Sequence, residues 1–368
     1  MKNRSSAWTL ALLFAVLVLY ASLYPFAGWR AQGGLTWDWV LAPMPRYWTA
    51  FDVWSNLLGY IPLGFLLAMA MLRTGWGGGS WVAASAACAT LSLVIEMAQT
   101  LLPARVPSNL DLALNSAGGV IGAGLAWTLH RLGALRRWSQ WRADWFESDA
   151  HGGLVLLALW LPALLYPAPL PFGLGQVWVR VEAALQDWLS GTPFALWLPE
   201  AAVPAPPLSP LSEALCMALC LLAPLLLGFS QIRSIPRRLF LVPVMLLAGA
   251  VVEGVSYALT YGPEHAWAWV GPQVLLGGGL ALLVALGLSM LPRRLCLVLM
   301  MLCLSVALTL LNRVPETPYF AQSLEIWEQG RFIRFHGLSR WLGWFWPWAV
   351  LLFGLVTVSR SARAGGKP

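Results

Sequence analysis

Charge is what this chain has least of. Only 11% of its 368 residues are Asp, Glu, Lys or Arg, where a soluble domain carries about 25%. With 59% hydrophobic residues and repeated apolar runs of about 20 residues, that shortage excludes a soluble globular protein and points to a polytopic membrane protein. Cysteine is scarce as well. The five present, Cys88, Cys216, Cys220, Cys296 and Cys303, all fall in apolar stretches and have no zinc-like spacing, so they read as buried free thiols. No phosphate-binding P-loop, Gly-x-Ser-x-Gly nucleophile elbow or His-Glu-x-x-His zinc motif occurs. The glycine-rich stretch Gly75–Gly79 has no Lys beside it and reads as a turn, not a nucleotide loop.

What is present in quantity is membrane-compatible sequence. The expected fold is all-α, with about ten transmembrane helices at roughly 7–27, 52–72, 81–102, 110–130, 153–171, 211–229, 239–260, 268–290, 295–312 and 342–359. The fifth is the weakest, because it runs into Pro167, Pro169 and Pro171. The first has an apolar core reaching nearly to Phe26, longer than a signal-peptide h-region, and reads as a retained helix. With the N-terminus inside, the inside segments hold fifteen of the 23 Lys and Arg residues, including the pairs Arg237–Arg238 and Arg293–Arg294. That bias places both termini inside, in a bacterial cytoplasmic (inner) membrane. The net charge of +7 then reads as topology signal and headgroup contact, and nucleic acid is excluded as a partner. Many of the 23 Trp residues lie near span ends, as interfacial anchors do.

The chain also resembles itself. Leu23-Tyr24-Pro25 ends the first span and Leu165-Tyr166-Pro167 the fifth. In each block the next span carries a proline (Pro62, Pro224), the third a lone glutamate (Glu96, Glu253) and the fourth a glycine run (Gly118–Gly122, Gly277–Gly279). The expected organisation is a four-helix unit over 1–135, a degenerate second four-helix unit over 150–291, and two further helices over 292–368. Residues 313–341 between those two read as an amphipathic segment on the outer surface.

The polar residues inside the apolar stretches carry the functional signal. An ionisable group in a span costs ~2.5 kcal/mol or more and is usually paired and functional. Asp52 and Asn56 are i and i+4, Glu96 and Gln99 are i and i+3, and Asp111 and Asn115 are i and i+4. On the ten-span topology all six fall at one outer depth, with Arg105 in the short loop beside them. Pro62 and Gly64 are expected to kink the second span. Two readings stand side by side. In one, Arg105 and the amides neutralise the acids and the network locks three helices together. In the other, the cluster lines a cavity that binds a headgroup or a cation. The second block keeps Glu253, with Glu213 taken as the counterpart of Asp52 and Gln273 as that of Asn115, but no Arg matches Arg105.

The ordered pattern Asp52…Asn56-x5-Pro62-x-Gly64, Glu96-x-x-Gln99, Arg105, Asp111-x3-Asn115-x2-Gly118, with the entry Ser22-Leu23-Tyr24-Pro25-Phe26, resembles the VanZ-like family over about residues 7–131. The resemblance implies a bacterial envelope membrane protein linked to low-level resistance to the glycopeptide antibiotic teicoplanin. It implies no defined reaction, and no catalytic residue or metal ligand follows from it.

Three functions fit these residues. The first is a non-enzymatic protein that binds, or also moves, an amphiphile such as a phospholipid or lipid-linked glycan precursor. No resident cofactor is implied, but a cation bridging carboxylates to a phosphate headgroup would answer the spare negative charge. The second is a membrane enzyme using Asp52 and Glu96 as acid and base on a lipid-linked substrate. The third is a scaffold or accessory subunit with envelope protein partners.

Overall fold

The computed structural model describes residues 6–24, 26, 28–30, 37–45, 48–103, 105–194, 208–313 and 336–365. Most of the amphipathic segment expected over 313–341 therefore lies outside the described residues. Among those described, the chain is helical and has no strand. The helices are α1 Ser6–Leu23, α2 Ala50–Arg73, α3 Gly79–Gln99, α4 Asn109–Arg131, α5 Ala134–Trp145, α6 His151–Ala163, α7 Trp178–Leu189, α8 Pro210–Gln231, α9 Ile235–Tyr261, α10 Pro272–Leu288, α11 Arg293–Leu311 and α12 His336–Gly365. Seven of them (α2, α3, α4, α8, α9, α11 and α12) are long and apolar enough to cross a membrane. The shorter apolar helices α1, α6 and α10 occupy the three remaining apolar stretches. This is an all-α polytopic membrane protein.

The chain divides into two compact units, Met1–Trp141 and Arg142–Pro368. In the first, α2 packs on α1, α3 and α4, and α3 on α1 and α4. The α2–α4 approach is set by glycine. A Cβ on Gly118 would run into the Leu57 carbonyl oxygen, one on Gly122 into the Ile61 oxygen, and one on Gly64 into the Gly119 oxygen. Small residues let helix backbones meet this closely within a membrane, where association rests on packing and hydrogen bonds. Pro62 lies inside α2, which runs from Ala50 to Arg73.

The second unit repeats that pattern of neighbours. α8 packs on α6, α9 and α10, and α9 on α6 and α10. α11 then lies on α8, and α12 on α6 and α11. α8 is the axis of this unit and is buried almost throughout from Cys216 to Gln231.

The largest departure from the sequence pattern is the fifth span. Helix was expected over 153–171, but α6 stops at Ala163. Its 13 residues rise ~20 Å, short of the ~30 Å hydrocarbon core. Residues 164–177 continue without helix and are buried or half-buried throughout. Non-helical backbone at membrane depth is tolerated where protein surrounds it, and here other elements meet its polar groups. Gly175 N–H donates to the Gly343 oxygen at 2.8 Å, Gln176 Nε2 to the Leu311 oxygen at 3.2 Å, and Ser256 Oγ to the Leu165 oxygen at 3.1 Å. Phe172 takes the left-handed conformation, φ 64°.

Two arginines counted as topology signal also hold the structure together. Arg238 is buried. Its Nε donates to the Ile232 oxygen at 2.9 Å and its Nη1 to those of Ser289 and Leu291 at 3.0 and 2.6 Å. Arg293 grips Asp149 through two contacts of 2.9 Å, and that hydrogen bonding holds the Asp149 carboxyl below its ordinary value.

Candidate functional site

The seven polar residues of the first unit do not all converge. Asp52 is spent on starting α2. The Thr49 N–H and hydroxyl both donate to Asp52 Oδ2, at 3.1 and 2.7 Å, and the Asp52 N–H donates back to Thr49 Oγ at 3.1 Å. This reciprocal capping box satisfies helix-end donors that otherwise have no partner. Losing a cap costs about 1 kcal/mol. Thr49→Ala and Asp52→Ala are each expected to lower stability by about that much in a chemical melt, and the double variant by less than the sum, since both break one motif. Asn56 lies half-buried one turn further along α2.

Gln99 and Arg105 face the end of α1. Gln99 Nε2 donates to the Ser22 oxygen at 3.1 Å, and Arg105 Nη2 to the Tyr24 oxygen at 2.9 Å. Both answer carbonyls that the last turn of a helix leaves open. They tie the end of α3 and the following loop to α1.

Glu96, Asp111 and Asn115 do come together, and Ser108 joins them. The Ser108 N–H donates to Glu96 Oε2 at 2.8 Å, while its Oγ accepts from the Asp111 N–H at 3.3 Å as the N-cap of α4. Asp111 is close enough to act on the Glu96 charge. Deeper in the bundle, Asn115 Nδ2 donates to Ser92 Oγ at 3.0 Å. Tyr60 Oη lies beside Ser92 but closes no hydrogen bond of ordinary geometry, and Asn115 Oδ1 is likewise buried without one. Tyr60, Ser92, Glu96 and Asn115 are 4, 0, 2 and 5% exposed. The result is a buried polar seam of four side chains on α2, α3 and α4.

Residues 4–130, the stretch that folds into these four helices, match the family model described as VanZ/LLP1. The chain carries a VanZ-like domain. No curated protein and no solved structure matches the chain.

Two members of the seam in the VanZ-like domain, Tyr60 and Ser92, were not singled out by sequence reasoning. Their signal was spacing: Tyr60 follows Asn56 by four residues and Ser92 precedes Glu96 by four, so each shares a helix face with a residue that was. Among the described residues, no group of three or more His, Cys, Asp or Glu side chains is placed to hold a metal ion.

In the second unit Glu253 is buried and accepts from the Phe172 backbone N–H. The residue three beyond it, Ser256, donates to the carbonyl of Leu165, as Gln99 three beyond Glu96 does to Ser22. Gly277 abuts Ala214 and Met217 as Gly118 abuts Leu57 and Tyr60. This register moves two sequence assignments. Glu213, one residue before Ala214, falls at the level of Asn56 and not of Asp52. The level of Asn115, three before the glycine, is taken by Val274, with Gln273 displaced to the first turn of α10 beside Gly271.

A groove of about 390 Å³ lies elsewhere in this unit, lined by Trp178, Leu308, Asn312, Arg313, Trp348 and Leu351 among others. Its lining combines apolar side chains with the polar Ser305, Thr309, Asn312 and Arg313.

Proposed function

We propose that this protein works in the bacterial cytoplasmic membrane, with both termini inside, and binds an amphiphile of the lipid-linked cell-envelope precursor or phospholipid class. Glu96, Asp111 and Asn115 take its polar head, with Arg105, Asn56 and Gln99 at the margin. The observation that carries this reading is the buried seam itself. Unanswered polar atoms inside a bundle cost about 1–3 kcal/mol each, so a fold that keeps them has a use for them. Through this binding the protein alters how envelope precursors are displayed and so raises tolerance to teicoplanin.

The bonds of Gln99 and Arg105 to the end of α1 support a second reading, in which the cluster is a helix lock. Mass spectrometry of lipids retained by the gently purified protein separates the two. A defined polyprenyl-linked or phospholipid species is expected in the wild type and absent from the variant carrying Glu96→Ala and Asp111→Ala. The same bulk lipids in both, with only the variant less heat-stable, would leave the lock. Fluorescent-lipid translocation in vesicles, wild type against Glu96→Gln, reports whether binding extends to movement.

A further inference from the structure

The two units build the same five helix–helix pairings, but with different residues at the seam. The glycine register pairs Tyr60 with Met217 and Asn115 with Val274. Counting back four residues from each glutamate pairs Ser92 with Gly249. A Cβ on Gly249 would meet Trp160, with Phe172 close behind. The second unit therefore keeps the glutamate of the seam, Glu253, but has no polar side chain at the other three positions. Packing four helices in this way does not require Tyr60, Ser92 or Asn115 to be polar. The first unit keeps them at the cost of two buried polar atoms that close no hydrogen bond, Asn115 Oδ1 and Tyr60 Oη.

We propose that Asn115 Oδ1, Tyr60 Oη, Ser92 Oγ and the Glu96 carboxylate form a binding site for a small monovalent cation of the Na+ class. This rests on the amphiphile reading only for its purpose, coupling an ion to the head of the bound molecule. The site itself stands on the burial of all four side chains, the Asn115–Ser92 bond and the two oxygens that close no hydrogen bond. All four groups are oxygen donors, as hard cations demand, and none is a soft sulfur or imidazole ligand. Asn115 is fixed by the bond of its Nδ2 to Ser92, which leaves Oδ1 as the acceptor. Glu96 gives one lone pair to the Ser108 N–H and retains others, since an ionised carboxylate offers about four sites.

The surrounding charges set the valence. When ionised, Glu96 on α3 and Asp111 on α4 contribute one negative charge each, against one positive charge on Arg105 in the loop between them. One monovalent ion brings the sum to zero. A divalent ion would leave net charge buried among apolar helices, which is expensive.

The test uses the full chain in detergent, with no lipid added, at constant ionic strength. NaCl is exchanged for KCl and for choline chloride, and binding is read by 22Na+ equilibrium dialysis and by thermal melting. The expected result is one saturable Na+ site per chain and a melting temperature higher in Na+ than in choline. Asn115→Leu and Tyr60→Phe are expected to weaken Na+ binding about tenfold or more. Tyr60→Phe removes one oxygen and keeps the ring, so it remains informative if Asn115→Leu does not fold. Absence of saturable binding, an equal shift with all three salts, or binding unchanged in Tyr60→Phe would each overturn the proposal. Sodium binding without selective lipid retention would sink the amphiphile reading alone. Lipid retention indifferent to Na+, with no bound 22Na+, would sink this one alone.

Discussion

Gly122→Ala is expected to be the most damaging single-methyl change in the VanZ-like domain. The added carbon would meet the Ile61 carbonyl oxygen, with the Phe65 nitrogen at 2.9 Å. Both are backbone atoms of α2, which no rotamer change can move aside. Overpacking costs about 1–3 kcal/mol where side chains yield, and more where they cannot. We expect about 3 kcal/mol or more here, read as a lowered unfolding midpoint and loss of the monodisperse peak in size-exclusion chromatography. Gly278→Ala is the matched control. Nothing lies within 4 Å of a Cβ at Gly278, so alanine there gains helix propensity, about 0.5–1 kcal/mol. The two substitutions are the same in chemistry and opposite in sign. Equal effects would show that the glycine contacts do not set the approach of α2 to α4.

Arg238→Ala is expected to do comparable damage in the second unit. It removes the donors to three carbonyls, those of Ile232, Ser289 and Leu291, from a buried position. Buried acceptors left without a partner cost about 1–3 kcal/mol each, and water reaching the gap recovers part of that. A net loss of about 3–5 kcal/mol follows. Arg238→Lys should recover only part of it, because one ammonium lacks the fork that reaches three oxygens on two sides. Denaturant titration of the two variants checks both the size and the order. Recovery to wild-type stability by lysine would mean that charge, not geometry, is what the site needs.

Arg238 shows how the sequence was informative and where it misled. Its position in a short basic loop reads as a topology signal, which composition can supply. That the same side chain seals two inter-helix turns depends on Ser289 and Leu291, some fifty residues away, and no local pattern carries that. The glycine run of α4 was legible as a run, but its partner helix was not. The glutamates were legible because a carboxylate in an apolar helix stands out. Tyr60 and Ser92 did not stand out, since one tyrosine or serine in a span is ordinary, and what sets them apart exists only in three dimensions: Ser92 meets Asn115 of another helix, and Tyr60 Oη is buried without a hydrogen bond. α5 and α7 lie between the expected spans. Their amphipathic pattern lies outside the apolar runs that drove the reading, and α5 carries Arg136, Arg137 and Arg142, which count towards topology. The proline series after α6 marked a weak span, and the helix does end before it. That the chain stays buried afterwards follows from contacts with α11 and α12, far ahead in the sequence.

Those contacts bear on how the protein is made. Residues 164–177 leave the ribosome well before α11 and α12, yet the bonds from Gly175 to Gly343 and from Gln176 to Leu311 exist only once both helices are in place. A stretch of exposed amides has no stable home in lipid on its own. The newly made segment must therefore wait at the interface, or shielded by the insertion machinery, until α12 arrives. The packing that α6 begins is completed by α11 and α12, so a chain whose synthesis stalls before α12 would have its fifth apolar stretch still unassembled.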